Sequence, residues 1–198
     1  RTRFDEVLNT FNGRWNYGGR PIEDSHKAAR MTVAEILQQS SNIGTIQLRD
    51  RLGDRGHYEL LRDLGFGAYT GVGYPSESPG LLKSPASWSR QTGASLAMGY
   101  ELLVTPLQVA LAYAAIANGG ELLEPTLVRE IRSPGDSVVW AHRRRVVRRV
   151  FPTSVADELR QVLVGTVEAG TAKDAGVSSF RIAGKTGTAR RARNGAYV

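Results

Sequence analysis

Ile36 and Leu37 follow Val33 by three and four residues, and Ile46 follows Ile43 by three. That spacing puts apolar side chains on one face of a helix. Thr32-x-x-Glu35 reads as a capping box, so a helix should start there and stop near Gln39. Ser40-Ser41-Asn42 then falls in a turn between two helices. The second helix reaches Gly53, and a third runs from Asp54 to Leu64, where Gly65 ends it. Residues 66–93 are rich in Gly, Pro and Ser and predict a long structured loop. Leu107 to Ala117 is apolar nearly all round, behind a Thr105 N-cap and Pro106 at the first helical position; Asn118-Gly119-Gly120 ends it. Such a helix belongs inside a domain.

The remaining elements are more mixed. Leu127–Ile131 and Ser137–Trp140 flank the turn Ser133-Pro134-Gly135-Asp136 and predict a hairpin. Ser154 to Glu168 is an amphipathic helix stopped by Gly170, and Phe180 to Thr186 alternates as a strand does. Residues 1–30, rich in Gly and Arg, read as mostly irregular with a turn at Gly18-Gly19. Helices dominate the middle and one late strand follows, an α+β pattern with its sheet largely missing. Neither an internal repeat nor a low-complexity linker divides the chain, which reads as one continuous unit.

Composition narrows the function classes. The chain has 198 residues, 41% of them hydrophobic, enough for one domain with a sizeable core. No apolar run reaches the roughly 18–20 residues that span a bilayer. Cysteine is absent, which removes disulfides and thiolate metal sites and fits an extracytoplasmic protein. The chain opens on Arg1 rather than Met and reads as a processed or excised piece. Net charge is +7, with the densest cluster at Arg143-Arg144-Arg145 and Arg148-Arg149. Without a recognisable module or interleaved aromatics, that cluster does not predict nucleic-acid binding. It reads as a solvated face, with anionic lipid or an acidic partner as the alternative.

Two short motifs carry candidate chemistry. Ser40-Ser41-Asn42 and Lys185-Thr186-Gly187-Thr188 match the second and third signatures of penicillin-binding proteins and serine β-lactamases. Acyl transfer needs a nucleophile, a proton shuttle for the departing amine, and donors for the oxyanion. Ser40 offers a relaying hydroxyl, and Asn42 offers an amide that can grip a peptide bond. Lys185 supplies fixed positive charge, with the hydroxyls of Thr186 and Thr188 beside it, a set suited to a terminal carboxylate. Gly184 and Gly187 would let a ligand lie close to the backbone. The first signature, Ser-x-x-Lys, is missing: no serine in the chain has lysine three positions later.

Other constellations are weaker. Asp24-Ser25-His26 cannot converge on one nucleophile as a triad must, and reads as a turn and helix entry. His57 and His142 lack further ligands at coordinating spacing, so no metal is expected. Gly65-x-Gly67 and Gly71-x-Gly73 lack the strand and helix of a dinucleotide loop, and no cofactor is expected. Trp15, Trp88 and Trp140 are read as packing residues rather than a carbohydrate platform, with Trp88, in the long loop, able to flank a groove.

The resemblance extends beyond the two motifs. Ser40-Ser41-Asn42-Ile43-Gly44 and Gly184-Lys185-Thr186-Gly187-Thr188-Ala189 resemble the corresponding segments of class B penicillin-binding proteins. So do Met98-Gly99-Tyr100, Val104-Thr105-Pro106-Leu107-Gln108 and the helix ending Ala117-Asn118-Gly119-Gly120, which look most like the division-specific, septal members of that class. The resemblance covers the chain from about residue 30. It implies the serine β-lactamase/D,D-transpeptidase fold, as a helical lobe with part of the antiparallel sheet. Residues 1–198 would then be a partial transpeptidase domain, without the Ser-x-x-Lys segment upstream and the last strands downstream. It also implies an enzyme cross-linking D-Ala-D-Ala stem peptides at the septum and acylated by penicillin, with this chain alone inactive.

By the same resemblance Ser40 aids proton transfer and Asn42 binds the acyl-side amide. Lys185, Thr186 and Gly187 meet the substrate carboxylate strand, the Thr188 amide completes the oxyanion hole, and Tyr100 lines the site. Partners would be peptidoglycan stem peptides, β-lactams and membrane proteins of the division complex, with the catalytic domain on the extracytoplasmic side of the inner membrane. An elongation-type paralogue or a D,D-carboxypeptidase shares the motifs. A non-catalytic penicillin sensor or division-partner binding module is the alternative of another class.

Overall fold

The structure, a computed structural model, describes residues 2–187 together with 192–193 and 196–197. In chain order its elements are β1 (Val7–Asn9), β2 (Arg14–Tyr17), β3 (Arg20–Glu23), β4 (Arg30–Thr32), α1 (Val33–Gln38), α2 (Asn42–Asp63), β5 (Leu81–Leu82) and α3 (Thr92–Ala97). There follow β6 (Leu102–Leu103), α4 (Pro106–Ala117), β7 (Glu121–Leu123), β8 (Glu130–Arg132), β9 (Val138–Ala141), β10 (Val146–Arg149), α5 (Thr153–Glu168), β11 (Ala192–Arg193) and β12 (Ala196–Tyr197). All strand pairs among the described residues are two-stranded and antiparallel. The chain forms two compact units, one of residues 1–57, 85–101 and 159–198, the other of residues 58–84 and 102–158.

In the first unit the expected capping box starts α1. Thr32 Oγ1 accepts from the Glu35 N–H at 3.1 Å, and the Thr32 N–H donates to Glu35 Oε2 at 2.7 Å. Ser41 Oγ then accepts from the Gly44 N–H at 3.0 Å and begins α2. Gly44 is required by packing, because a Cβ there would lie 2.4 Å from Ile36 Cγ1. α2 breaks at Gly53 (φ 69, ψ 175), so the second and third expected helices meet where the sequence indicates. Ile22, Ile43, Ile46 and Ala94 form one core, with Trp15 and Tyr17 packed against it; Leu8, Met31 and Ile36 form another.

Residues 1–30 are not irregular. β2 and β3 make a hairpin whose last pair, Tyr17↔Arg20, closes around Gly18-Gly19 at φ 58 and 88. Trp15, Tyr17 and Ile22 alternate inward there, a period-2 signal that the surrounding Gly and Arg obscure. The strand expected over 180–186 is also corrected: among the described residues an isolated Val177↔Phe180 bridge forms, and residues 181–187 carry no ladder. Side-chain alternation alone does not make a strand when no neighbour pairs with it.

In the second unit α4 has the bounds its sequence predicts. Thr105 Oγ1 accepts from the Gln108 N–H, and Gln108 Oε1 accepts from the Thr105 N–H. Fully buried Gln108 also donates Nε2 to Ala68 O at 2.8 Å and Pro79 O at 2.9 Å, which anchors the long loop. Contrary to expectation, α4 is buried only along Gln108, Ala112 and Ala115, while Tyr113 is 40% exposed. Hydrophobicity all round permits full burial but does not supply a second layer.

β8 and β9 form the expected hairpin, with Asp136 N–H on Ser133 O closing its turn. Trp140 is not a packing residue: it stands exposed on β9. The arginine cluster is held largely within this unit. Arg144 and Arg149 pair with Glu121, Arg145 with Glu124 and Arg148 with Asp63, which accounts for most of the solvated face.

Candidate active site

The Ser40 turn and the Lys185 segment, 145 positions apart, meet in the first unit: Lys185 Nζ donates to Ser40 Oγ at 2.8 Å. The positions of both follow from their surroundings. α1 ends at Gln38, and Ser40 takes φ 58, a left-handed conformation that turns the chain into α2. Asp24, 4% exposed, fixes the start of α2: it accepts from Ser41 Oγ at 2.5 Å and from the Ile43 N–H at 3.1 Å. Ser41 is therefore spent on the fold, and Ser40, its exposed neighbour, is the hydroxyl available for chemistry.

The Lys185 segment is tied at two points. Gly184 N–H donates to Leu163 O of α5 at 3.2 Å. Thr186 Oγ1 and Thr171 Oγ1 share a 2.8 Å hydrogen bond, and the Thr171 N–H donates to Gln38 O at 3.1 Å. Thr171 thus links the segment to the end of α1, next to Ser40. Lys185 Nζ also donates to Thr186 O at 3.2 Å. Burial pushes the Lys185 ammonium below the usual lysine range.

The other expected site residues are placed as follows. Asn42 directs Nδ2 to Glu23 O at 2.9 Å, which fixes its amide and leaves Oδ1 without a partner among the described residues. Thr186 and Gly187 are exposed, and a Cβ on Gly187 would meet nothing within 4 Å. Nothing within the described protein requires glycine there for space, which is the condition for a ligand to approach that backbone. Tyr100 follows α3, half-buried, its N–H on Ser95 O at 2.9 Å. Thr188 lies outside the described residues.

Sequence reasoning missed Thr171, Gln38 and Asp24. Asp24 carried a signal, since it stands in the Asp24-Ser25-His26 run, but its role is to cap a helix. Thr171 and Gln38 carried none, because their part depends on how the end of α5 approaches the end of α1. Chemically, an ammonium on an exposed hydroxyl, with a pair of threonine hydroxyls alongside, can pass a proton and hold an anion.

Residues 2–197 match the family described as "Penicillin binding protein transpeptidase domain". The chain is 34% identical over 199 residues to the "Probable peptidoglycan D,D-transpeptidase PenA" of Neisseria meningitidis, covering 100% of this chain and 32% of that protein. It is 36% identical over 196 residues to the "Penicillin-binding protein PbpB" of Mycobacterium tuberculosis, covering 94% of this chain and 29% of that one. The chain therefore spans about a third of the length of the curated relatives it matches. In structure it resembles penicillin-binding protein 3 of Mycobacterium tuberculosis complexed with ampicillin, with TM-score 0.90, 35% identity, and coverage of 100% of this chain and 46% of that one. The transpeptidase domain of penicillin-binding protein 3 from Burkholderia pseudomallei gives TM-score 0.88 at 30% identity, covering 100% of this chain and 57% of that one.

Proposed function

Because the chain belongs to the penicillin-binding protein transpeptidase family, we propose that it is the motif-bearing part of a peptidoglycan D,D-transpeptidase acting at the septum. The observation that carries this reading is the 2.8 Å bond from Lys185 Nζ to Ser40 Oγ, which joins the second and third signatures into one site. In this reading the attacking serine belongs to a Ser-x-x-Lys segment in the rest of a longer protein. Ser40 hands a proton towards the departing D-alanine nitrogen, and the Lys185 ammonium beside it keeps that proton mobile. The donor's terminal carboxylate, or that of a β-lactam, meets Lys185 and Thr186, with Thr171 fixing the Thr186 hydroxyl. Asn42, its Nδ2 held on Glu23 O, presents Oδ1 to the acyl-side amide N–H of the substrate. Gly187 leaves the backbone open for an extended peptide, Tyr100 borders the cleft, and the Thr188 amide completes the oxyanion hole.

Stem peptides are the natural substrate on this account, and the longer protein is anchored in the inner membrane with this domain outside the cytoplasm, among division proteins. The likeness to proteins named penicillin-binding protein 3 favours the septal assignment over an elongation paralogue, a carboxypeptidase or a non-catalytic sensor. The test is covalent labelling of the full-length protein by a fluorescent penicillin. Lys185→Ala is expected to abolish labelling while the unfolding midpoint stays put. Labelling at the wild-type rate would remove Lys185 from the site.

A further inference from the structure

β9 has a single strand partner, β8, with Ile131 opposite Trp140 and Glu130 opposite Ala141. The His142 N–H donates to Arg129 O across the same hairpin at 2.8 Å. Backbone groups alternate sides along an antiparallel strand, so the N–H and C=O of Ala141 point away from β8. That second edge is unpaired among the described residues. It borders a cleft of about 550 Å³ lined by Val138 to Arg143 with Glu124 and Arg145, and by no residue of β8.

β9 is short and its pairing with β8 shifts register between Trp140 and Val138, but it lacks the other devices that blunt natural edge strands: Val138-Val139-Trp140-Ala141 has no lysine, proline or charged side chain. Val138, Val139 and Trp140 are 49, 63 and 45% exposed, so apolar side chains face solvent on both sides of the strand. An antiparallel sheet normally keeps one face polar when it is wet. The charge beside the edge is equally specific. Arg144 and Arg149 are occupied by Glu121, Arg145 by Glu124 and Arg148 by Asp63, yet Arg143, lining the cleft, has no carboxylate partner among the described residues.

We propose that the open edge of β9 takes up an extended, acidic and apolar segment of a partner polypeptide by strand addition. Main-chain hydrogen bonds to Ala141 would supply affinity, and alternate side chains would cover the valines and Trp140. A carboxylate on the segment would meet Arg143. The four residues of β9 give about 13 Å of edge, room for a strand of equal length. This surface lies in the second unit and does not depend on the acyl-transfer reading of the Ser40–Lys185 site.

The test uses the full-length protein with two eight-residue peptides, one alternating valine with glutamate and one alternating valine with lysine. The glutamate peptide should bind and protect the Ala141 amide from hydrogen exchange, whereas the lysine peptide should not bind. Arg143→Glu, at an unpaired surface position, should weaken binding about tenfold. Ala141→Pro removes the outward N–H without touching the ladder to β8, and should abolish binding with the unfolding midpoint unchanged. Equal binding of both peptides, an unprotected Ala141 amide, or a dimer formed through this edge in sedimentation would overturn the proposal.

Discussion

Lys185 sits where burial and a hydroxyl act on its proton in opposite directions. Removal from water disfavours the ammonium and dominates, while the bond to Ser40 Oγ favours the charged form. An ordinary lysine titrates near 10.5. Lys185 in the folded chain should therefore lose its proton at a lower pH, and Ser40→Ala, which removes the acceptor, should lower it further. The ¹⁵Nζ chemical shift followed through the alkaline range checks both; a midpoint at or above 10.5 would contradict them. The sign for stability follows directly. Between the folded midpoint and 10.5 the unfolded chain holds more protons, so stability rises with pH through that window. The residue types of this pair were legible, because a hydroxyl and an ammonium in family motifs have little other use together. The clamps were not: Thr171 and Gln38 act through approach in space, and neither belongs to a periodic or motif signal.

At the scale of elements, local chemistry was the reliable guide. Both capping boxes form, Pro106 opens α4, and the Ser133–Asp136 turn closes a hairpin. Each of these depends only on neighbours in sequence. What failed depends on distant neighbours: the strand over 180–186 needs a partner, and the burial of α4 needs a layer on its second face. α2 offers a test of how local the backbone rules are. Gly53 holds φ 69, ψ 175, a region nearly closed to side-chain-bearing residues, and a Cβ there would meet nothing within 4 Å. Gly53→Ala should therefore destabilise by about 1–3 kcal/mol through backbone strain alone. Gly56, three residues on and inside the helix, has only Leu52 Cβ at 3.5 Å, so Gly56→Ala should stabilise by about 0.5–1 kcal/mol. Urea unfolding of the two variants should show opposite signs. Stabilisation by both would mean that the break at Gly53 relaxes into continuous helix.

For the whole molecule, the excess of positive charge reads as a solvated face, and among the described residues the arginines are mostly answered by carboxylates of the same chain. Glu6 against Arg51, and Glu121 against Arg144 and Arg149, are held below the usual carboxylate range by those guanidinium hydrogen bonds. Their contribution is present above the ordinary glutamate value near 4.5 and fades only below it. His57 acts in a different window. It is 7% exposed, its Nδ1 has no hydrogen-bond partner among the described residues, and burial together with the nearby Arg49 charge pushes it from 6.5 down to about 4. The unfolded chain takes up the His57 proton first as pH falls, so this contribution is complete above 6.5 and is lost progressively towards 4. Acid destabilisation should thus begin near pH 6.5, before the carboxylate pairs are touched. His57→Phe keeps an aromatic ring edge-on to Trp88, 6.2 Å away in the wild type, and removes the titration. Its melting temperature should stay flat from pH 6.5 to about 4.5 where that of the wild type falls, and the two should decline together below that. Parallel declines across the whole range would mean that His57 ionises in the folded chain as freely as in the unfolded one, and that Arg49 and burial do not hold it neutral.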